Sequence, residues 1–205
     1  MRLFIAVMPD TAAKRLITAV QEQIRSQSFR GKFVPPENLH LTLVFLGETP
    51  EDRLDEIKGI MDSITVPPFE ARFSRAGFFR RAHKELWWLG PDPEESRGKT
   101  GPRDRSGLLP LQEIQRRLTA DLGAAGFSID TRPFRAHITL GREIRSGPAL
   151  PFTVDAVTIP VKRISLVLSE HRRDEKGRSV PGQVYTELFG KDLPADEAPA
   201  KLLQF

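Results

Sequence analysis

Two short stretches of the chain share a frame suited to acid–base chemistry. "NLHLTLVFLG" spans residues 38–47 and "FRAHITLGR" spans residues 134–142. Each holds a tetrad, His40-Leu41-Thr42-Leu43 and His137-Ile138-Thr139-Leu140, and these take up two of the chain's four histidines. In a strand, residues two apart share a face. His40 and Thr42 therefore point one way, while Leu41 and Leu43 point the other, into a core. His137 and Thr139 repeat this above Ile138 and Leu140. If the two strands lie side by side under a pseudo-twofold, two imidazoles and two hydroxyls face one cleft.

Imidazole titrates near neutrality, so a pair can divide acid and base duty between them. Threonine hydroxyls can donate to non-bridging phosphate oxygens. The array suits in-line displacement at phosphorus: one imidazole takes a proton from water, and the other gives one to a departing ribose oxygen. A single His-x-Thr in a strand reads as a structural hydrogen-bonded pair. The second copy, with apolar residues at the matching alternate positions, turns the reading to a site. No metal or other cofactor is expected, because neither tetrad has a third histidine or a carboxylate at ligand spacing.

The elements that must carry these strands can be traced along the chain. Leu3 to Val7 read as a strand ended by Pro9. Asp10 or Thr11 would cap a helix whose Leu16, Ile17, Val20 and Ile24 recur at helical spacing to about residue 27. "FRGKFVPPEN" reads as a loop, followed by the first tetrad strand. A second helix is expected from Pro50 to Ile64, then strands over Phe69–Phe79 and Leu86–Leu89. Residues 91–107 hold no large apolar residue and are rich in Pro, Gly and charge, so a mobile surface insertion is expected there. A third helix should run from Pro110 to about Leu122. The second tetrad strand follows, then strands over Asp155–Ser169 and Gln183–Phe189, joined by a basic connection at 170–183. The organisation expected is one domain over residues 1–190 and a C-terminal tail over 191–205. The tetrads support two related lobes.

The composition sets bounds. The chain has 205 residues, a net charge of +4 and a pI of about 9.6. That balance suits an anionic partner such as nucleic acid without demanding one. There is no cysteine, which excludes disulfides, thiol nucleophiles and Cys-ligated zinc. The apolar run at the start is too short to span a membrane. A soluble cytoplasmic protein is expected. With no long exposed apolar helix or heptad seam, a monomer is expected too.

The paired tetrads resemble the signature of the 2H phosphoesterase superfamily. "MRLFIAV", "NLHLTLVFLG" and "RPFRAHITLGR" are similar to its RNA 2′,3′-cyclic phosphodiesterase branch, also called 2′-5′ RNA ligase. The resemblance runs from residue 1 to about 190 outside the insertion. It implies an α+β fold of two pseudo-twofold-related lobes, with antiparallel sheets lining a central cleft and helices outside. It implies hydrolysis of an RNA 2′,3′-cyclic phosphate to a 2′-phosphomonoester. Carried onto this sequence, it makes His40 the proton donor to the ribose O3′ and His137 the proton acceptor from water. Thr42 and Thr139 would hold the phosphate, and Arg142 would add a cation. Simple alternation places Arg142 opposite His137, so that role requires a bulge at Gly141. Phe45 is a candidate for stacking on a base, yet alternation groups it with Leu41 and Leu43 in the core. Ala136 departs from the family, which has proline before the second histidine. Tyr185 matches a family position and reads as packing. Two alternatives stay open: reversible 2′-5′ joining of RNA at the same site, and a non-catalytic RNA-binding module.

Overall fold

The structure, a computed structural model, describes residues 1–81, 84–91, 107–130, 132–146 and 152–195. The insertion expected at 91–107 therefore falls almost wholly outside the described residues, as does the tail from residue 196.

The fold is α+β. Among the described residues the strands are β1 (Arg2–Val7), β2 (Ser28–Phe33), β3 (Leu41–Glu48), β4 (Phe69–Arg81), β5 (Lys84–Gly90), β6 (Ile138–Ser146), β7 (Phe152–Val161), β8 (Arg163–Arg173) and β9 (Ser179–Asp192). The helices are α1 (Thr11–Ser26), α2 (Leu54–Asp62) and α3 (Leu108–Ala124). Every strand pairing is antiparallel. The strands run in the order β7-β4-β5-β6-β3-β1-β8-β9, with β2 also on β6. Two half-sheets, β3-β1-β8-β9 and β7-β4-β5-β6-β2, meet at the pairing of Leu41 with Ile138. Those are the residues immediately after His40 and His137.

Local chemistry explains the helices. The Asp10 carboxylate accepts from the Ala13 amide at 2.8 Å and caps α1. The buried stripe of α1 is Ala13, Ile17, Val20 and Ile24, while Leu16 faces solvent. Helix α3 buries Leu108, Leu111, Ile114, Leu118 and Leu122 at helical spacing. The helices pack on the sheet face that carries Leu41, Leu43, Ile138 and Leu140, and together they form the main core. No helix among the described residues is long and apolar enough to cross a membrane.

Several elements differ from the sequence expectation. The first half of the stretch expected as a loop after α1 is strand β2, an exposed strand with no apolar alternation to reveal it. Its Gly31 is required by close approach, since a Cβ there would sit 2.6 Å from Ile144 Cγ1. The single strand expected over Asp155–Ser169 is two strands in different half-sheets, β7 beside β4 and β8 beside β1, and the chain crosses between them at Lys162. The basic connection at 170–183 is a β8–β9 hairpin whose turn is tied by Asp174, which accepts from the Lys176 and Arg178 amides. Packing continues past residue 190: Leu193 is buried, and its amide donates to the Lys162 carbonyl at 2.8 Å.

Candidate active site

The junction of the half-sheets brings the tetrads together. Leu41 and Ile138 pair across it with their side chains in the core. Continuing that antiparallel register by one residue either way sets His40 opposite Thr139 and Thr42 opposite His137. The four polar side chains form one patch on the face away from the helices, and all are half-buried. The positive charge of His137 is felt at His40, which places the two rings near each other at the junction.

Both imidazoles are held in the same way. His40 Nδ1 lies 2.7 Å from the Asn38 carbonyl oxygen, and His137 Nδ1 lies 2.7 Å from the Arg135 carbonyl oxygen. A carbonyl only accepts, so each Nδ1 carries the hydrogen and donates it. Each Nε2 is thereby left to act as acid or base. The Asn38 support is itself tied down, since Asn38 Nδ2 donates to the Gln183 carbonyl at 2.8 Å.

The surroundings of the two rings differ. His40 packs against Phe4 at 4.8 Å between centroids and meets Tyr185 edge-on at 5.2 Å. Phe4, Ala6 and Val167 form a small second core on this face, with Tyr185 against it. This burial pushes His40 below its ordinary value. The Asn38 carbonyl opposes the shift, and the positive charges of Arg142 and His137 add to it. Burial likewise raises the Tyr185 hydroxyl, against the pull of Arg142 and Arg2. His137 has Phe79 edge-on at 6.0 Å and borders a cleft of about 1110 Å³. Thr42, Phe45 and Arg142 also line this cleft; His40 and Thr139 do not.

Arg142 and Phe45 correct the alternation argument. Opposite consecutive Trp87 and Trp88 of β5, strand β6 offers Gly141 and Thr139, so one residue is extra. Leu140 and Gly141 are accordingly buried in succession. The bulge turns Arg142 onto the face of Thr139, and its charge is felt at both His40 and Tyr185. Gly141 packs closely there, since a Cβ would sit 2.6 Å from Ile144 Cδ1 and 3.2 Å from the Lys32 carbonyl oxygen. Strand β3 repeats the device. Ile5 and Ala6 of β1 pair with Val44 and Thr42, leaving Leu43 extra. Leu43 and Val44 are both buried, and Phe45 emerges on the Thr42 face, 45% exposed rather than in the core.

Sequence reasoning missed the aromatic wall of His40. Phe4 is a polar-face residue of a strand that is buried on both sides, and Tyr185 was read as packing alone. The tyrosine's place beside His40 rests on the register of the β8–β9 pairing, in which Tyr185 lies opposite Ser169; the sequence shows both strands but not their register. Among the described residues, no group of three or more His, Asp or Glu is placed to hold a metal ion. Arg142 and Arg135 have no carboxylate partner among the described residues, whereas Arg132, Lys32 and Arg80 are paired with Asp130, Glu143 and Glu85. The free cations leave the cleft suited to an anion.

The chain and its fold are similar to known proteins. Residues 7–88 match the family model described as LigT like Phosphoesterase. A Thermus thermophilus protein named RNA 2′,3′-cyclic phosphodiesterase is 32% identical, over 92% of this chain and 88% of its own. A protein of the same name from Archaeoglobus fulgidus is 31% identical, over 72% of this chain and 76% of its own. Among solved structures, one from Thermus thermophilus superposes with a TM-score of 0.72 at 28% identity, covering 96% of this chain and all of that one. Escherichia coli LigT complexed with 3′-AMP gives 0.71 at 26% identity, covering 94% of this chain and 97% of that one.

Proposed function

The chain belongs to the LigT-like phosphoesterase family, and on that premise we propose that it hydrolyses RNA 2′,3′-cyclic phosphate ends to 2′-phosphomonoesters. The observation that carries the proposal is the pair of imidazoles at the Leu41–Ile138 junction, each donating from Nδ1 to a backbone carbonyl and each leaving Nε2 free.

In this reading the phosphorus lies between the two rings. His137 Nε2, open to the cleft, takes a proton from the attacking water. The new P–O bond forms in line with the P–O3′ bond, which breaks. His40 Nε2 protonates the departing O3′, and the phosphate stays on O2′. The Thr42 and Thr139 hydroxyls donate to the non-bridging oxygens, and the Arg142 guanidinium offsets their charge as it grows. Burial keeps the resting His40 ring neutral more readily than an exposed one. An anionic phosphodiester beside it favours the charged form, so the acid is armed by the substrate itself. A metal has no step in this scheme. A monomer acting in the cytoplasm fits a cleft completed within one chain and a substrate found on RNA ends.

The test is incubation of the purified protein, with chelator present, with an oligonucleotide ending in a 2′,3′-cyclic phosphate. The expected product is the 2′-phosphomonoester. Absence of any phosphomonoester, or production of the 3′-isomer, would overturn the assignment.

A further inference from the structure

We propose that Asn38 is the positioning residue of the acid: its side chain clamps the carbonyl under the His40 ring to strand β9, and so fixes where His40 Nε2 points. The proposal rests on the phosphodiesterase reading, in which His40 delivers a proton to O3′.

The turn that carries this carbonyl is a weak support by itself. Asn38 closes a single 3-10 turn, Pro36–Asn38, just before the buried Leu39. The peptide plane after Asn38 presents its oxygen to His40 Nδ1 at 2.7 Å. The N–H of the same plane, on Leu39, donates to the Pro36 carbonyl at 3.3 Å. That is longer than the usual range of about 2.7–3.2 Å for N–H···O, as the strained geometry of a 3-10 turn favours. The Asn38 side chain, itself buried, adds an anchor from outside the turn. Its Nδ2 donates to the Gln183 carbonyl at 2.8 Å, across 145 residues of chain.

Gln183 is a firm anchor. Its backbone pairs with His171 in the β8–β9 ladder. Its side-chain oxygen accepts from the Ser169 hydroxyl at 3.1 Å, and its Nε2 lies 3.2 Å from His171 Nδ1. Two residues on, and so on the same face of β9, Tyr185 meets the His40 ring edge-on at 5.2 Å. One strand therefore grips His40 twice, at the ring through Tyr185 and at Nδ1 through Asn38.

The reaction gives the acid more need of such a clamp than the base. The base acts on water, which is mobile and can come to His137 Nε2. The acid acts on O3′, whose place is set by the ribose and the breaking P–O bond. A displacement of about 1 Å at such a group can cost about 100-fold in rate. Only an amide serves at position 38, because the partner is a carbonyl oxygen and must receive a hydrogen.

The test is a double-mutant cycle with an NMR readout. Steady-state kinetics on an oligonucleotide ending in a 2′,3′-cyclic phosphate are measured for the wild type, Asn38→Ala, the isosteric Asn38→Asp, His40→Ala and the two double variants. Asn38→Ala and Asn38→Asp should each lower kcat roughly ten- to a hundredfold, with KM little changed. In the His40→Ala background the same substitutions should cost almost nothing, since they act through that ring. The nitrogen resonances of His40 should move from a single Nδ1–H tautomer toward a mixture, while those of His137 stay as they are. An equal penalty with and without His40, or a His40 tautomer and kcat unchanged in the variants, would overturn the proposal. If the Asn38 variants do not fold, hydrogen exchange of the wild-type Asn38 side-chain amide decides: protection supports the clamp, and exchange at the rate of a free amide overturns it. If the wild type turns over no cyclic phosphate, the phosphodiesterase reading fails by itself, and the His40 resonances alone then decide whether Asn38 positions the ring.

Discussion

The buried His40 ring makes the fold itself sensitive to pH. Its folded value lies below the ordinary 6.5, chiefly because burial disfavours the charged ring. In the unfolded chain the same ring titrates at its ordinary value. Between those two values the unfolded state binds more protons, so stability rises with pH across the window and falls as pH drops through it. One proton sets the ceiling on the slope, about 1.4 kcal/mol per pH unit. The carboxylates that arginines hold at about 2, Glu113 and Asp130, start from ordinary values of 4.5 and 3.8 and so act in a lower window. His40→Gln keeps an amide donor within reach of the Asn38 carbonyl and removes the titrating proton. Urea unfolding of both proteins, from about pH 5 to 7.5, isolates the effect. Relative to the variant, the wild type should lose stability as pH falls below 6.5, within that ceiling, and the difference should level off once the folded ring is charged. Parallel stability curves across the window would refute the burial argument. A wild type that gains on the variant as pH falls would reverse its sign.

Other substitutions probe the site and its supports. His40→Ala and His137→Ala should each lower kcat by about 100-fold or more, with the double variant losing far less than the product of the two, as read by single-turnover kinetics on a cyclic-phosphate oligonucleotide. Glu143 adopts a left-handed φ of 54°, so Glu143→Gly should stabilise the fold by about 1 kcal/mol in urea unfolding. Deleting Glu143 instead should shift the rest of β6 against β2 and destabilise that edge, which hydrogen exchange of the β2 amides would report. Gln21 is buried and its Nε2 donates to both the Val34 and Leu140 carbonyls at 2.8 Å. Gln21→Leu should leave the Val34 carbonyl unpaired, while the Leu140 carbonyl keeps the Val34 amide at 2.9 Å, at a cost of about 1–3 kcal/mol in urea unfolding.

The candidate site residues were legible because they recur. His-x-Thr with apolar residues between is weak once and informative twice, and strand periodicity alone predicted that Leu41, Leu43, Ile138 and Leu140 would be buried. The helices were legible from their stripes: α1 and α3 fall within two residues of expectation at each end, while α2 begins four residues later, after a 3-10 turn over Glu51–Arg53. What the sequence hid shares one physical origin. Period-two alternation assumes an unbroken ladder, and both tetrad strands bulge immediately after the threonine. The bulges reverse the faces of Phe45 and Arg142, the two residues that alternation misassigned. Strand β2 was hidden for a related reason. It is a mostly exposed strand, so no core face imposes a pattern on its residues. The boundary between β7 and β8 was hidden because Asp155–Ser169 reads as one continuous β-rich run. The switch between half-sheets depends on partners far away in sequence.

Duplication alone would give two equal imidazoles, and equal groups make a poor acid–base pair. The backbone keeps them equal: the same ring nitrogen donates to the carbonyl two residues earlier in both halves. The difference comes from the sheet face around each ring. His40 is walled by Phe4 and Tyr185, side chains from β1 and β9, while His137 borders the open cleft with Phe79 at its edge. The walled ring resists a charge until an anion arrives beside it, and the open ring can meet water. For the proposed reaction, a twofold repeat supplies the geometry of in-line transfer, and the packing that breaks the twofold gives it a direction. If so, opening the wall should weaken the distinction without moving the rings. Tyr185→Leu should bring His40 closer to its ordinary titration in NMR of the imidazole, and should shift the pH–rate profile on the same substrate. A His40 resonance that titrates identically in both proteins would show that the aromatic wall does not set the asymmetry.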